Sequence, residues 1–281
     1  MQMKRIRARA IVGLFVCLLA VATQRCFGQG MDYPLAVVAG PDNSIYVADR
    51  NLPGIWKIQG GKAAIYYQGS KKFRTPLNAV RCLAIDLNGK LLAGDSSTRE
   101  VYRFDAPETP IPMTKGGIGI PTAIAIDSKG NLLVADLELH CIFQVPAAGG
   151  TATEFVKVPA PRGIAVDSQD RVWVVSHSKE PVVRFAPDKS KELIVSETVF
   201  QFAHQICVDA KDDCYITDGY AKSVWKVPAK GKPENYFSGE PLKNPVGLAM
   251  QGERLLIADP HQKMIYSLPI AGEKVIQAEL K

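Results

Sequence analysis

The sequence predicts an all-β protein, a six-bladed β-propeller of four-stranded antiparallel blades, on three observations. A short apolar segment that ends in a small polar residue recurs six times, at intervals of 46, 41, 40, 42 and 41 residues. It is surrounded by β-branched and aromatic segments and by turns rich in Asn, Gly, Asp and Lys, as in β-hairpins. No segment after residue 28 has helical periodicity. Four-stranded units of about 40 residues, repeated in this way, close into a propeller.

The six apolar segments define the register of the repeat. They read IYVAD, LLAGD, LLVAD, VWVVS, CYITD and LLIAD and end at Asp49, Asp95, Asp136, Ser176, Asp218 and Asp259. We expect the five closing aspartates to accept hydrogen bonds from turn N–H groups. An apolar residue, usually aromatic, follows each closing residue by seven positions, and we expect it to pack between adjacent blades. The predicted blades span residues 33–72, 73–116, 117–158, 159–198, 199–240 and 241–281.

The first 28 residues have the composition of an export signal. Residues 4–9 are basic, and residues 10–22 form an apolar run that is shorter than the roughly 20 residues needed to cross a bilayer. We expect cleavage near Gly28, which leaves residues 29–281 as one propeller domain, secreted or periplasmic, with no further membrane span. An uncleaved N-terminal anchor is the alternative.

The net charge of +6 is unevenly distributed along the chain. The predicted signal contains five basic residues and no acidic one, so residues 29–281 hold 29 bases and 28 acids. The lysines of this part are dispersed among acidic residues, without basic runs. This composition excludes a broadly cationic nucleic-acid-binding protein.

Four cysteines lie in the predicted mature chain: Cys82, Cys141, Cys207 and Cys214. Export would permit disulfides, and four cysteines allow three pairings between which the sequence does not choose. The alternative is that all four are buried, unpaired thiols on strands.

All four histidines are predicted to lie on one face of the propeller. In each blade, the turn that leads into the first strand and the turn after the second strand open on the same face, around the axis. His204 lies at the start of a first strand, whereas His140, His177 and His261 follow closing residues. Tyr220 and Lys222 lie in the same kind of turn.

Arg81 and Arg162 occupy the same repeat position as His204. The sequence therefore predicts a pocket at the axis, with arginines that hold a carboxylate or phosphate and imidazoles that bind a ligand or a metal. The predicted ligand-binding residues are Arg81, Arg162, His177, His204 and His261. The expected partner is a small molecule or peptide, with anions favoured, or another protein.

Several segments resemble NHL repeats and the related gluconolactonase/regucalcin-like and strictosidine-synthase-like propellers. They are PRGIAVDSQDRVWVVS, IPTAIAIDSKGNLLVAD and NPVGLAMQGERLLIAD, and the resemblance extends over nearly all of residues 29–281. It implies the fold but not an activity, because such scaffolds host enzymes and binding modules alike. Gluconolactonase-like enzymes hold a divalent metal with Glu, Asn and Asp at the starts of first strands. Here blade 1 has Tyr33-Pro34-Leu35, and Arg162 stands where a ligand Asp is expected, so this activity is not expected.

A second, local resemblance is to the peptidylglycine amidating lyase, whose zinc is held by three histidines. VADLELHCIF resembles its histidine-bearing segment, and ITDGYAKSVWKV resembles its DGY segment. The resemblance implies His140 as a zinc ligand and Tyr220 as a catalytic residue, with Arg162 beside it. The other two ligands of that family follow prolines, whereas His204, the remaining candidate in such a position, follows Ala203.

Two functions stay open at this point. The leading hypothesis is a monomeric ligand-binding or protein-interaction module that uses the His/Arg-lined mouth, since no catalytic set is complete. The alternative is a metal-dependent lyase or hydrolase with His140 and His204 as metal ligands and Tyr220 and Arg162 as catalytic residues. Zn²⁺ and Ca²⁺ are the two candidate cofactors.

Overall fold

The computed structural model describes residues 30–72, 74–196, 199–229 and 231–280, and within them twenty-four strands form six sheets. The predicted export signal lies outside the described residues. Within the described ranges, no helix is long and apolar enough to cross a membrane.

The first three sheets follow one another along the chain. Blade 1 contains β1 (Pro34–Ala39), β2 (Ile45–Asp49), β3 (Gly54–Gln59) and β4 (Lys62–Gln68), with a short 3-10 turn at Pro41–Asn43. Blade 2 contains β5 (Val80–Ile85), β6 (Leu91–Asp95), β7 (Glu100–Phe104) and β8 (Pro110–Pro112). Blade 3 contains β9 (Pro121–Ile126), β10 (Leu132–Asp136), β11 (Cys141–Val145) and β12 (Thr153–Lys157).

The second half of the chain repeats the arrangement. Blade 4 contains β13 (Pro161–Val166), β14 (Val172–Ser176), β15 (Val182–Phe185) and β16 (Lys191–Val195). Blade 5 contains β17 (Ala203–Val208), β18 (Cys214–Asp218), β19 (Ser223–Val227) and β20 (Glu234–Ser238). Blade 6 contains β21 (Gly247–Gln251), β22 (Arg254–Asp259), β23 (Met264–Pro269) and β24 (Gln277–Ala278).

In every blade the four strands pair antiparallel in chain order, so the predicted architecture is confirmed. Turn chemistry explains the first hairpins of blades 2 to 5. Each needs a residue with positive φ, and Gly89, Gly130, Asp170 and Asp212 supply it.

The second strand of each blade is largely apolar up to its closing residue because both of its faces are buried. In blade 1, Ile45 and Val47 point into the core shared with blade 6, while Tyr46 and Ala48 point into the core shared with blade 2. This alternation follows from the two-residue period of a strand. It explains why the repeated segments are continuous apolar runs and not alternating ones.

Six hydrophobic clusters lie between adjacent blades, one at each boundary. The residues seven positions after the closing residues all belong to these clusters, which confirms their predicted packing role. They are Trp56, Tyr102, Phe143, Val183, Trp225 and Tyr266.

The first strands surround the axis and contact one another in a closed cycle, from β1 through β5, β9, β13, β17 and β21 back to β1. Because every blade is built from consecutive strands, no strand is exchanged where the first and last blades meet. Side-chain packing closes this boundary, with Val47 and Trp56 of blade 1 in one cluster with Leu256 and Ile265 of blade 6.

The four described cysteines, Cys82, Cys141, Cys207 and Cys214, are buried free thiols, which resolves the alternatives left by the sequence. Cys207 and Cys214 lie on neighbouring strands but belong to clusters on opposite faces of their sheet, so their sulfurs do not meet. Burial raises the pKa of the Cys82 thiol to about 12.

Candidate functional site

A β-bulge recurs near the start of the first strand. In blade 2, Val80 pairs with Asp95 and Cys82 with Gly94, which leaves Arg81 as the extra residue. A bulge redirects the side chain of its extra residue, and in this position the side chain points into the mouth of the propeller. The bulge occurs in blades 1 to 5 and places Leu35, Arg81, Thr122, Arg162 and His204 at the mouth.

These side chains line a cavity of about 720 Å³ to which all six blades contribute. This volume is in the usual range of small-molecule sites. Its cationic side chains are Arg50, Arg81, Arg162, Lys222 and Lys243, and no Asp or Glu is among the described residues that line it. Among the described residues, Lys243 alone of the five has an ion-pair partner, Glu240, which lies outside the cavity, so the lining retains a large positive charge.

Arg162 is held in place by His177. The Arg162 Nε–H donates to His177 Nδ1 at 3.3 Å, and His177 Nε2–H donates to the Ala203 carbonyl at 2.6 Å. These two bonds require a neutral imidazole with its proton on Nε2. Burial, with a further contribution from the Arg162 charge, lowers the pKa of His177 and favours this neutral form.

Arg81 is anchored in a similar way. Its Nε–H donates to Ser96 Oγ at 3.1 Å, and that hydroxyl donates to the Ala79 carbonyl at 3.2 Å. Both arginines therefore use Nε for an internal bond, and their terminal nitrogens have no hydrogen-bond partner among the described residues. Burial and the nearby Arg81 charge lower the pKa of Arg162, as expected for two cations without an anion between them.

His204 is a partly buried imidazole in the wall of the cavity. Burial, together with the charges of His177 and Arg162, lowers its pKa to about 4, so its imidazole is neutral at pH 7. Its ring nitrogens have no hydrogen-bond partner among the described residues. Gly219 permits this placement, since a Cβ there would lie 3.0 Å from His204 Nε2 and would collide with Asn244 Oδ1.

Aromatic rings form one wall beside the arginines. Phe202 stacks on Tyr220 with 4.7 Å between ring centroids, and the Arg162 guanidinium carbon lies 5.7 Å from the centre of the Phe202 ring. Tyr220 is 66% exposed, an unusual degree for a large ring that is stacked on another. In the neighbouring blades 6 and 1, His261 and Tyr33 meet edge to face at 6.5 Å, and Arg50 lies over the Tyr33 ring.

The closing aspartates hold the loops that carry these residues. Asp218 accepts hydrogen bonds from the backbone N–H groups of Gln201 and Phe202 at 2.7 and 2.9 Å. Asp259 does the same for Asn244 at 2.9 Å and for His261 at 3.0 Å. The predicted structural role of the aspartates is confirmed, and in blades 5 and 6 that role also positions the cavity wall.

The floor of the cavity is made by Gln205. Its Nε2 donates to the Thr122 carbonyl of blade 3 at 3.1 Å, and Gln205 also lines the space of about 50 Å³ below it. That lower space lies among apolar side chains of the first strands, including Leu83, Ile164 and Leu248.

Most of the site residues predicted from the sequence come together. Arg81, Arg162, His204, His261 and Tyr220 all line the cavity. His177 lies behind Arg162 and contacts it. His140 does not line the cavity: it is exposed, and its Nδ1 accepts a hydrogen bond from the Ala160 N–H at 3.2 Å.

The predicted pair of metal ligands, His140 and His204, is therefore not brought together in this cavity. Among the described residues, no three His, Cys, Asp or Glu side chains form a group that could hold a metal ion. A lining with five cationic side chains and no carboxylate also does not fit Ca²⁺, which requires oxygen ligands of negative charge.

The sequence did not single out Phe202, Asn244, Gln205, Arg50 or Lys243, all of which line the cavity. A signal existed for two of them. Phe202 lies two residues before the bulge position of blade 5, as Tyr33 does in blade 1, and Asn244 lies two residues before Val246, which lines the cavity in blade 6. Side chains two positions before the first-strand residues of the mouth therefore also line the cavity. The repeat register could have indicated them.

Comparison with known proteins supports the fold. No protein-family model matches the chain. Over 65 residues, 22% of this chain, the sequence is 37% identical to the E3 ubiquitin-protein ligase TRIM32 of Homo sapiens, and the matched segment covers 10% of that protein.

Three solved structures are similar over most of their length. A gluconolactonase from Xanthomonas campestris has a TM-score of 0.73 at 12% identity and covers 85% of this chain and 86% of its own. Virginiamycin B lyase from Staphylococcus aureus has a TM-score of 0.67 at 14% identity, with 90% and 87% covered. A chain of the nidogen–laminin complex has a TM-score of 0.66 at 15% identity, with 84% and 88% covered. The chain is thus a six-bladed β-propeller, related in fold to gluconolactonase and virginiamycin B lyase propellers and, over about a fifth of its length, in sequence to TRIM32.

Proposed function

We propose that the protein binds a small organic anion, a carboxylate or a phosphate, in the mouth cavity. The observation that carries this proposal is the pair Arg81 and Arg162, each fixed through Nε with its terminal nitrogens unpartnered. A guanidinium in this state is prepared for a two-point hydrogen bond to an anion. An anion between the two would also relieve the repulsion from Arg81 which, after burial, lowers the pKa of Arg162.

Binding is better supported than the alternative of a metal-dependent lyase or hydrolase. The residues at the cavity do not supply a ligand set for the metal. His204 is placed to contact a ligand, but with a pKa of about 4 it is a weak base at neutral pH. Its neutral imidazole is suited to a hydrogen bond with the bound molecule. The similar solved structures do not decide the matter, because they include enzymes and a chain from a complex of two proteins.

The test is a titration with propionate and with inorganic phosphate, at low and high salt, followed by calorimetry. We expect Arg162→Gln to weaken binding at least about tenfold, because a hydrogen bond to a charged group contributes roughly 1.5–3 kcal/mol. Binding should also weaken with added salt.

Arg103→Gln is the matched control, since Arg103 is ion-paired with Asp105 and does not line the cavity. Equal affinities of the wild type and Arg162→Gln, or no binding of either anion by the wild type, would contradict the proposal.

A further inference from the structure

A second cavity of about 270 Å³ lies between blades 4 and 5, next to the mouth. We call it the blade 4–5 pocket. Its apolar walls are Pro181, Phe200, Phe202 and Ala203. Its volume is slightly below the usual range for a whole ligand and is suited to part of one.

The polar groups of this pocket are already occupied by bonds within the protein. Ser176 Oγ donates to the Pro159 carbonyl at 2.5 Å, and Ser178 Oγ is bonded to the backbone of Glu180. His177 uses both ring nitrogens, as described above. Apart from Gln201, which is exposed at the rim, the described side chains of the pocket offer no free hydrogen-bond donor. A carboxylate or another acceptor placed there would lose its bonds to water without compensation, whereas a hydrocarbon group would not.

Two side chains connect the pocket with the mouth. Phe202 lines both cavities, and its ring also lies beside the Arg162 guanidinium. His177 lines the pocket and holds Arg162, and its ring centroid lies 4.2 Å from that of Phe202. The pocket is therefore one side-chain layer away from the predicted anion-binding arginine.

We propose that the blade 4–5 pocket receives the hydrocarbon part of the anion bound by Arg162, so that the ligand is a hydrophobic carboxylic acid. This inference rests on the proposed function and specifies the class of its ligand. The carboxylate bonds to the free guanidinium nitrogens, and the hydrocarbon chain crosses the edge of Phe202 into the pocket.

The first test compares straight-chain carboxylic acids of increasing length in the wild-type protein. We expect affinity to rise about fourfold for each methylene that enters the pocket, and to stop rising when the pocket is full. For 3-phenylpropionate we expect binding at least about tenfold tighter than for propionate.

The second test fills the pocket. Ser178→Leu should abolish the higher affinity for 3-phenylpropionate relative to propionate, and it should leave the affinity for propionate unchanged. Ser97→Leu is the control, since Ser97 has the same repeat position in blade 2 and lines neither cavity. If the wild type binds both acids equally, or if Ser178→Leu keeps the higher affinity, the inference is wrong while the proposed function stands. If neither acid binds, the inference is wrong, and the proposed function is also wrong unless inorganic phosphate binds.

Discussion

Arg162 shows how a single residue of the mouth depends on its neighbours. Its guanidinium is positioned by a histidine that acts as an acceptor, and that histidine is oriented in turn by the Ala203 carbonyl. A protonated His177 has no lone pair to accept the Arg162 N–H. The lowered pKa of His177 thus maintains the geometry of the arginine at neutral pH.

His204 should make the stability of the protein depend on pH. Its pKa is about 4 in the folded state against 6.5 for an ordinary histidine, so the unfolded chain binds a proton first as the pH falls. The contribution is complete above pH 6.5, decreases between about 6.5 and 4, and amounts to about 3 kcal/mol at most.

Urea denaturation of the wild type and of His204→Gln, near pH 7 and near pH 4.5, measures this effect. The wild type should lose more unfolding free energy than the variant over this interval. Because both proteins contain the same carboxylates, the difference between them isolates His204. An identical loss in both would refute the assignment.

For single residues, the sequence predicted which residues line the cavity better than it predicted the contacts between their side chains. Arg81, Arg162 and His204 share a repeat position, and the structure places all three at one cavity. The sequence could not show that the nitrogens of His177 are used by Arg162 and Ala203, because the first bond joins residues 15 apart in blade 4 and the second joins blade 4 to blade 5. Asn244 and Phe202 were missed although the repeat register reaches them, because a single amide or aromatic residue in a loop does not by itself indicate a binding site.

Among the elements, the loop leading into each first strand is fixed by the aspartate that ends the second strand. Asp136 accepts N–H bonds from Gly119 and Ile120 in blade 3, as Asp218 does from Gln201 and Phe202 in blade 5. All of these carboxylates are buried. In blade 4, Ser176 replaces the aspartate and donates a hydrogen bond instead of accepting one.

Asp218→Ala and Asp136→Ala test whether the aspartate that fixes the loop before the first strand also shapes the mouth cavity. Each substitution leaves several buried N–H groups without an acceptor, so each should lower the unfolding free energy by about 3 kcal/mol. Only Asp218→Ala should also weaken the binding of propionate, because Asp136 holds no residue of the cavity.

Denaturation and titration of the two variants provide the comparison. A loss of binding in both would indicate a general distortion of the propeller, and a loss in neither would show that Phe202 keeps its place without Asp218.

The elements themselves were predictable because each strand has a strong local pattern and each hairpin a suitable turn residue. The apolar runs, the closing aspartates and the aromatic positions all kept their predicted roles. The bulges were not predictable, since the extra residue differs from blade to blade and includes Leu35, Arg81 and Thr122.

In the whole molecule, the boundary between blades 6 and 1 differs from the other five. Consecutive blades are connected by the chain, whereas the first and last blades are joined only through side-chain and strand contacts among the described residues. No described cysteine forms a disulfide across this boundary. The ring is therefore expected to open there first.

Leu256→Ala should reveal this weak boundary. Leu256 is fully buried in the cluster between blades 6 and 1, and its loss should cost roughly 2–5 kcal/mol. Leu92→Ala is the control, because Leu92 is equally buried between blades 2 and 3.

Hydrogen exchange distinguishes the two variants. The amides of β1 and β22 should exchange through local opening in Leu256→Ala, while those of β5 and β6 in Leu92→Ala should exchange only with global unfolding. Equal behaviour of the two boundaries would contradict the expectation.

The hydrogen bond from Gln205 to the Thr122 carbonyl has a consequence for the movement of a ligand along the propeller axis. Gln205 lies between the mouth and the narrow space of about 50 Å³ along the axis, and it lines both. Among the described residues, Gln205 therefore forms a floor across the axis below the mouth. We expect a ligand of the mouth to enter and leave past the rim, where Tyr220, His261 and Arg50 lie.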